Sequence, residues 1–116
     1  CAARGVGVVI GGPFNSGVLA GKTTFDYGVV PPAVATRVRR LEAVCRQFGT
    51  TLTQAALAFP LAHRVVVSVV AGAQSAEEVH ANAVALRQGV PASFWNELVN
   101  RALIDAAAPL PESALC

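Results

Sequence analysis

The sequence has 116 residues, of which 53% are hydrophobic and 14% charged, with a formal net charge of +2. Roughly 25% charged residues is usual for a soluble domain, so a chain this short and this apolar should bury most of its elements, as if inside something larger. So small a charge argues against a nucleic-acid partner, and no apolar run reaches the roughly 18 residues that cross a bilayer.

The opening Cys-Ala-Ala-Arg-Gly-Val-Gly-Val-Val has no initiator Met and lacks the charged, apolar and cleavage regions of a signal peptide. With no Met anywhere, the expectation is a chain that begins inside a longer gene product. Residues 6–10 are an uninterrupted apolar run ending at Gly11-Gly12-Pro13, the pattern of a buried parallel strand. Pro32 then suits the first turn of a helix that Gly49 closes. Val34, Val38, Leu41, Cys45 and Phe48 lie at spacings of three and four, one apolar stripe along it. The basic cluster Arg37, Arg39 and Arg40 has no interleaved aromatics and reads as a solvated helix face.

Thr50 or Thr51 caps a second helix over residues 52–63, which Pro60 should kink or loosen. Residues 65–70, Val-Val-Val-Ser-Val-Val, repeat the strand pattern and end at Ala71-Gly72. A third helix follows over 75–89, where Ser75 and Glu78 have capping-box spacing and Val79, Ala83 and Leu86 give a buried side. Residues 91–104 form the last helix, before a Pro-punctuated tail. Strand, helices, strand, helices points to a parallel sheet with right-handed crossovers. Two strands alone leave open edges and unmatched helix stripes, so the chain reads as a piece of a larger α/β fold.

Gly21-Lys22-Thr23 suggests a P-loop, but the glycine required upstream is out of register: Ser16 stands there, and Gly17 is one residue late. The aromatic and Pro-rich residues that follow start no helix at Lys22, so the P-loop is rejected. Gly5 and Gly7 precede the strand, and Ile10 stands at the third glycine position of a dinucleotide fingerprint. His63 and His80 lie on different elements with no cysteine pair nearby, which points to no metal site. Glu77 and Glu78 diverge by about 100° on a helix and suit its positive N-terminus better than a shared proton. Cys1, Cys45 and Cys116 form no Cys-x-x-Cys pair, which favours reduced thiols and a cytoplasmic setting, with Cys45 in the core. What remains are two strand C-termini, Gly-Gly-Pro-Phe-Asn-Ser-Gly and Ala-Gly-Ala-Gln-Ser, either ligand loops or simply tight turns. The second leads into a helix start whose amides suit an anion.

With those loops, residues 55–63 and the stretch Val-Pro-Ala-Ser-Phe-Trp-Asn-Glu-Leu, the chain resembles the C-terminal part of the aldo/keto reductase family. The likeness is to its NAD(P)-dependent aldose dehydrogenases, of the L-fucose or D-threo-aldose type. A (β/α)8 TIM barrel needs about 250 residues. The resemblance therefore implies a partial oxidoreductase domain over 1–116, comprising strand 7, helix 7, strand 8 and helix 8. It implies that Phe14, Asn15, Ser16, Gly17 and Leu19 lie along the cofactor pyrophosphate, largely through backbone amides. Gly72, Ala73, Gln74 and Ser75 would lie near the ribose, with Glu78 and Asn82 towards adenine. Glu78 thus has two readings, cap and adenine contact.

The family usually has Pro-Gly-Ala-Arg after strand 8, and here Ala71 and Gln74 replace the Pro and the Arg. Without a guanidinium for the 2′-phosphate of NADP, NAD is expected to be tolerated or preferred. The family's catalytic Asp, Tyr, Lys and His belong to earlier strands; Tyr27 and Lys22 do not match their positions, and no catalytic residue is assigned. The implied activity is hydride transfer between a nicotinamide cofactor and a sugar or other carbonyl compound, in an enzyme whose remaining barrel covers the sheet edges. The alternative is a stand-alone, non-catalytic nucleotide-binding or interaction module that oligomerises.

Overall fold

The two apolar runs pair as parallel strands, β1 (Val8–Gly11) and a later strand, Val66–Val70. The computed structural model describes residues 1–15, 17–26 and 28–112. Ile10 lies beside Val69 and Gly11 beside Val70, while the register slips between Val8 and Val9, so that Val67 has no partner. The strand starts later than residue 6: Val6 and Gly7 precede it, and Val8 N–H donates to the Val65 carbonyl at 2.7 Å. Between these strands lies an antiparallel pair that the sequence pattern did not reveal, β2 (Thr24–Phe25) with β3 (Gly28–Val29). The strand Val66–Val70 is therefore β4.

Helix α1 (Pro32–Gln47) opens on its proline, as the fixed φ favours. Cys45 of its stripe turns inward together with the fully buried Val44, which the stripe did not include, and Leu41 and Phe48 pack around them. It ends where Gly49 takes φ 64°, letting Thr50 N–H reach the Cys45 carbonyl at 3.0 Å. Thr51 caps α2 (Leu52–Leu61), and Gln54 returns its side chain to the Thr51 amide to complete a capping box. Pro60 stands in the last turn of α2, which ends at Leu61 and not at 63.

In α3 (Ala76–Gln88) the expected buried side is displaced. Val79 and Leu86 are 58% and 46% exposed, and Ala85 is the buried residue. The reason is orientation: α3 packs its Ala85 side on α2, and the larger apolar residues stay largely uncovered by the described residues. Helix α4 (Ala92–Asn100) stops four residues before position 104. Ala102 adopts φ 52°, and Leu103 folds back so that its N–H donates to the Leu98 carbonyl at 2.9 Å.

Two apolar clusters result. Val44, Cys45, Ala55, Val90, Phe94, Trp95, Leu98 and Leu103 join α1, α2 and α4, with the Phe94 and Trp95 rings edge-to-face at 4.9 Å. Phe14, Ala56, Leu57 and Ala85 form the second, joining α2 and α3 to the loop after β1. Arg37 is more than a solvated charge: its guanidinium donates to the Leu103 carbonyl at 2.6 Å, tying α1 to the turn after α4. The other face of the β1–β4 pair is bare, with Val9, Val67 and Val70 between 57% and 67% exposed.

Candidate functional site

Because β1 and β4 run parallel, both of their C-terminal loops open at the same end of the sheet. Between them lies a cavity of about 560 Å³, within the roughly 300–1,000 Å³ of small-molecule sites. One wall is the loop after β1, with Gly12, Pro13, Phe14, Gly17, Ala20 and Lys22. The other is the loop after β4 with the first turns of α3, through Gly72, Ala73, Gln74, Glu78, Ala81 and Asn82. Thr53, at the start of α2, completes it.

Of the residues singled out from sequence, Phe14, Gly17, Gly72, Ala73, Gln74, Glu78 and Asn82 line this cavity together. Asn15, Leu19 and Ser75 do not line it. Asn15 is exposed at φ 47°, Leu19 packs against the second apolar cluster, and the Ser75 hydroxyl caps α3 by accepting from Glu78 N–H at 3.1 Å. Ser16 lies outside the described residues.

The first wall is shaped by a tight sequence of turns. Asn15 N–H donates to Gly12, Gly17 and Leu19 N–H both donate to Phe14, and Lys22 N–H donates to Gly17. These amides are committed to holding the loop, and Lys22 is the charged side chain among the described residues of this wall. Gly17 at φ 96° cannot be replaced freely: a Cβ there would stand 2.6 Å from Lys22 Cδ. The lysine stem lies over that bare glycine. Phe14 is 9% exposed and anchors the loop in the core while still lining the cavity.

On the second wall, Glu78 Oε2 accepts from Gln74 N–H at 2.8 Å. The capping pattern is thus altered: Ser75 makes its half, but the Glu78 carboxylate reaches past the Ser75 amide to the residue before it. Lys22 and Glu78 are the charged groups among the described lining residues, one from each wall.

Ala20, Lys22, Thr53 and Ala81 were not anticipated. The signal for Lys22 was present, since it is the sequence's sole lysine, but it was set aside with the P-loop. Among the described residues no three His, Cys, Asp or Glu side chains come together as metal ligands; His63 Nδ1 accepts from Val65 N–H at 3.3 Å. No described helix is long and apolar enough to cross a membrane.

Residues 1–101 match the aldo/keto reductase family. The chain is 39% identical over 105 residues to pyridoxal 4-dehydrogenase of Microbacterium luteolum, a match covering 87% of this chain and 31% of that protein. It is 35% identical over 109 residues to D-threo-aldose 1-dehydrogenase of a Pseudomonas species, covering 90% of this chain and 33% of that protein. The chain therefore spans about a third of the length of these curated relatives.

Proposed function

The chain belongs to the aldo/keto reductase family, and from that membership we propose that it supplies the last two strand–helix units, β7-α7-β8-α8, of a (β/α)8 barrel oxidoreductase. The share of the relatives it matches and the bare face and open edges of the β1–β4 pair support this reading. In such a barrel Val9, Val67 and Val70 would face its interior and packed neighbours would cover the strand edges.

The observation that carries the function is the cavity that joins the two strand C-termini. Gly12 and Gly72 line it with open space where a side chain would stand, so an extended dinucleotide can approach the backbone closely, and Lys22, its stem over Gly17, brings a cation to one wall. These residues fit NAD or NADP, with Phe14, Gly17 and Lys22 beside the diphosphate and Gly72, Ala73, Gln74, Glu78 and Asn82 beside the adenosine. Asn15, Leu19 and Ser75 shape or adjoin the same two loops. A nicotinamide cofactor held by these residues would supply hydride transfer to or from the carbonyl or alcohol carbon of a substrate. This chain's residues position the cofactor's nucleotide end, and the groups that move the proton belong to the rest of the barrel.

The two relatives are named for pyridoxal and for D-threo-aldoses, so the substrate class proposed is a small aldehyde, sugar or alcohol. Gln74 gives no guanidinium for a 2′-phosphate, which favours tolerance of, or preference for, NAD. The test is a titration of the full-length protein with NADH and NADPH, following nicotinamide fluorescence. Saturable binding of NADH supports the reading, and failure of both dinucleotides to bind overturns it.

A further inference from the structure

We propose that Gly17 is a positioning residue: its missing side chain fixes where the Lys22 ammonium stands in the cavity before any ligand arrives. This rests on the dinucleotide reading above, in which Lys22 lies beside the diphosphate. Both residues belong to the loop after β1, and both line the cavity. The Gly17 carbonyl accepts from Ala20 N–H and from Lys22 N–H, each at 2.9 Å, so the root of the lysine is pinned to the glycine. The stem then lies along the face that Gly17 leaves open. A β-carbon on Gly17 would stand 2.9 Å from Lys22 Cβ, 3.0 Å from Cγ and 2.6 Å from Cδ.

Those distances decide what a side chain at position 17 would do. Carbon atoms in contact settle at about 3.5–4.0 Å, so the lysine stem and an added β-carbon cannot share the space. The far end of a lysine swings aside at little cost, but Cβ and Cγ are close to a backbone held by its hydrogen bond to Gly17. They clear only by a turn about the Cα–Cβ bond or by a shift of the loop, and either one moves the ammonium. In the native loop the same close fit removes rotamers from the stem. A cation ordered in advance loses less freedom when an anion binds, and so holds it more tightly. Gly17 thus acts on the ligand through Lys22, in addition to supplying the φ of 96° that the turn requires.

The experiment measures equilibrium binding of NADH and NADPH to the full-length protein for wild type, Gly17→Asn, Lys22→Ala and the double variant. Asparagine adds the β-carbon and accepts a left-handed backbone more readily than most side chains. Gly17→Asn should weaken both dinucleotides about fivefold, and in the Lys22→Ala background it should change neither, because the group it displaces is gone. The salt dependence of Gly17→Asn should also fall towards that of Lys22→Ala, which a purely structural loss would not produce. Equal losses in both backgrounds, with the wild-type salt dependence kept, would overturn the role of Gly17 alone. A second measurement leaves Gly17 in place: side-chain carbon relaxation of Lys22 in the unliganded wild type, its signals identified by their loss in Lys22→Arg. Restricted motion of Cγ and Cδ is expected, and a stem that reorients as freely as a lysine in open solvent would sink the proposal. A wild-type protein that binds neither dinucleotide would overturn the cofactor reading and this inference with it.

Discussion

Gln54 Nε2 donates to Gln88 Oε1 at 2.6 Å, bridging the start of α2 to the end of α3. The same buried amide accepts from the Thr50 hydroxyl at 2.9 Å and the Thr51 N–H at 2.7 Å. Gln54→Ala removes half of the capping box and leaves the buried Thr50 hydroxyl without this acceptor. A loss of about 2 kcal/mol is expected. Denaturant unfolding of the full-length protein checks it, with a lower midpoint at unchanged slope. Gln88→Ala should cost less, because Gln88 is exposed and water can replace it.

Helices α1 and α4 end in the same way with different residues. Gly49 takes φ 64° after α1, whereas Ala102 takes φ 52° after α4. A β-carbon is strained in that region, so Ala102→Gly should stabilise by about 0.5–1 kcal/mol and Gly49→Ala should destabilise by a similar amount or more. Paired unfolding curves of the two variants test the opposite signs.

Burial pushes the Cys45 thiol up to about 11 from an ordinary 9.0, with the neighbouring Glu42 carboxylate adding to the effect. The folded protein therefore holds the thiol proton more tightly than the unfolded chain does. This stability is fully present below pH 9.0 and is lost as pH rises from there towards 11. Cys45→Ala should flatten that alkaline loss while costing packing at neutral pH. Thiol-labelling kinetics at pH 8 should find Cys1, which is exposed, reacting far ahead of Cys45.

On the proposed dinucleotide reading, Lys22 lies beside the diphosphate, which NAD and NADP share. Lys22→Ala should therefore weaken NADH and NADPH about equally, by about tenfold each, and Lys22→Arg should restore most of the loss. A change confined to one dinucleotide would move Lys22 to the adenosine end of the site.

Expressed by itself, the 116-residue chain should aggregate or remain without cooperative unfolding, because Val9, Val67, Val70, Val79 and Leu86 stay uncovered. Size-exclusion chromatography with a thermal melt decides this. A monodisperse, cooperatively melting oligomer would favour a stand-alone module.

Where local chemistry decides the outcome, the sequence was readable: Pro32 and Gly49 bound α1, Thr51 caps α2, Ser75 caps α3, and breakers end both long strands. What it hid depends on partners and on backbone freedom. Val79, Ala83 and Leu86 have helical spacing, but which side of α3 is covered is set by how it lies on α2. Nothing in Ala102 announces a left-handed turn, since alanine rarely takes one. The β2–β3 pair has two residues per strand, too short to show any alternation. In the site, the glycine-bearing loops were visible as strand ends. That the Asn15, Gly17 and Leu19 amides point back into their own turn, leaving Lys22 as the charge on that wall, required coordinates.

The pairing of Val8 with Val66 spans the whole of α1 and α2. The two walls of the cavity therefore meet only after a long stretch of chain has been ordered, and closing so long a loop is entropically slow. A ligand touching both walls adds its binding free energy to that closure. If the proposed dinucleotide binds here, its concentration should govern how long this end of the protein survives transient opening, and the lifetime of the protein in a cell would follow the supply of that dinucleotide.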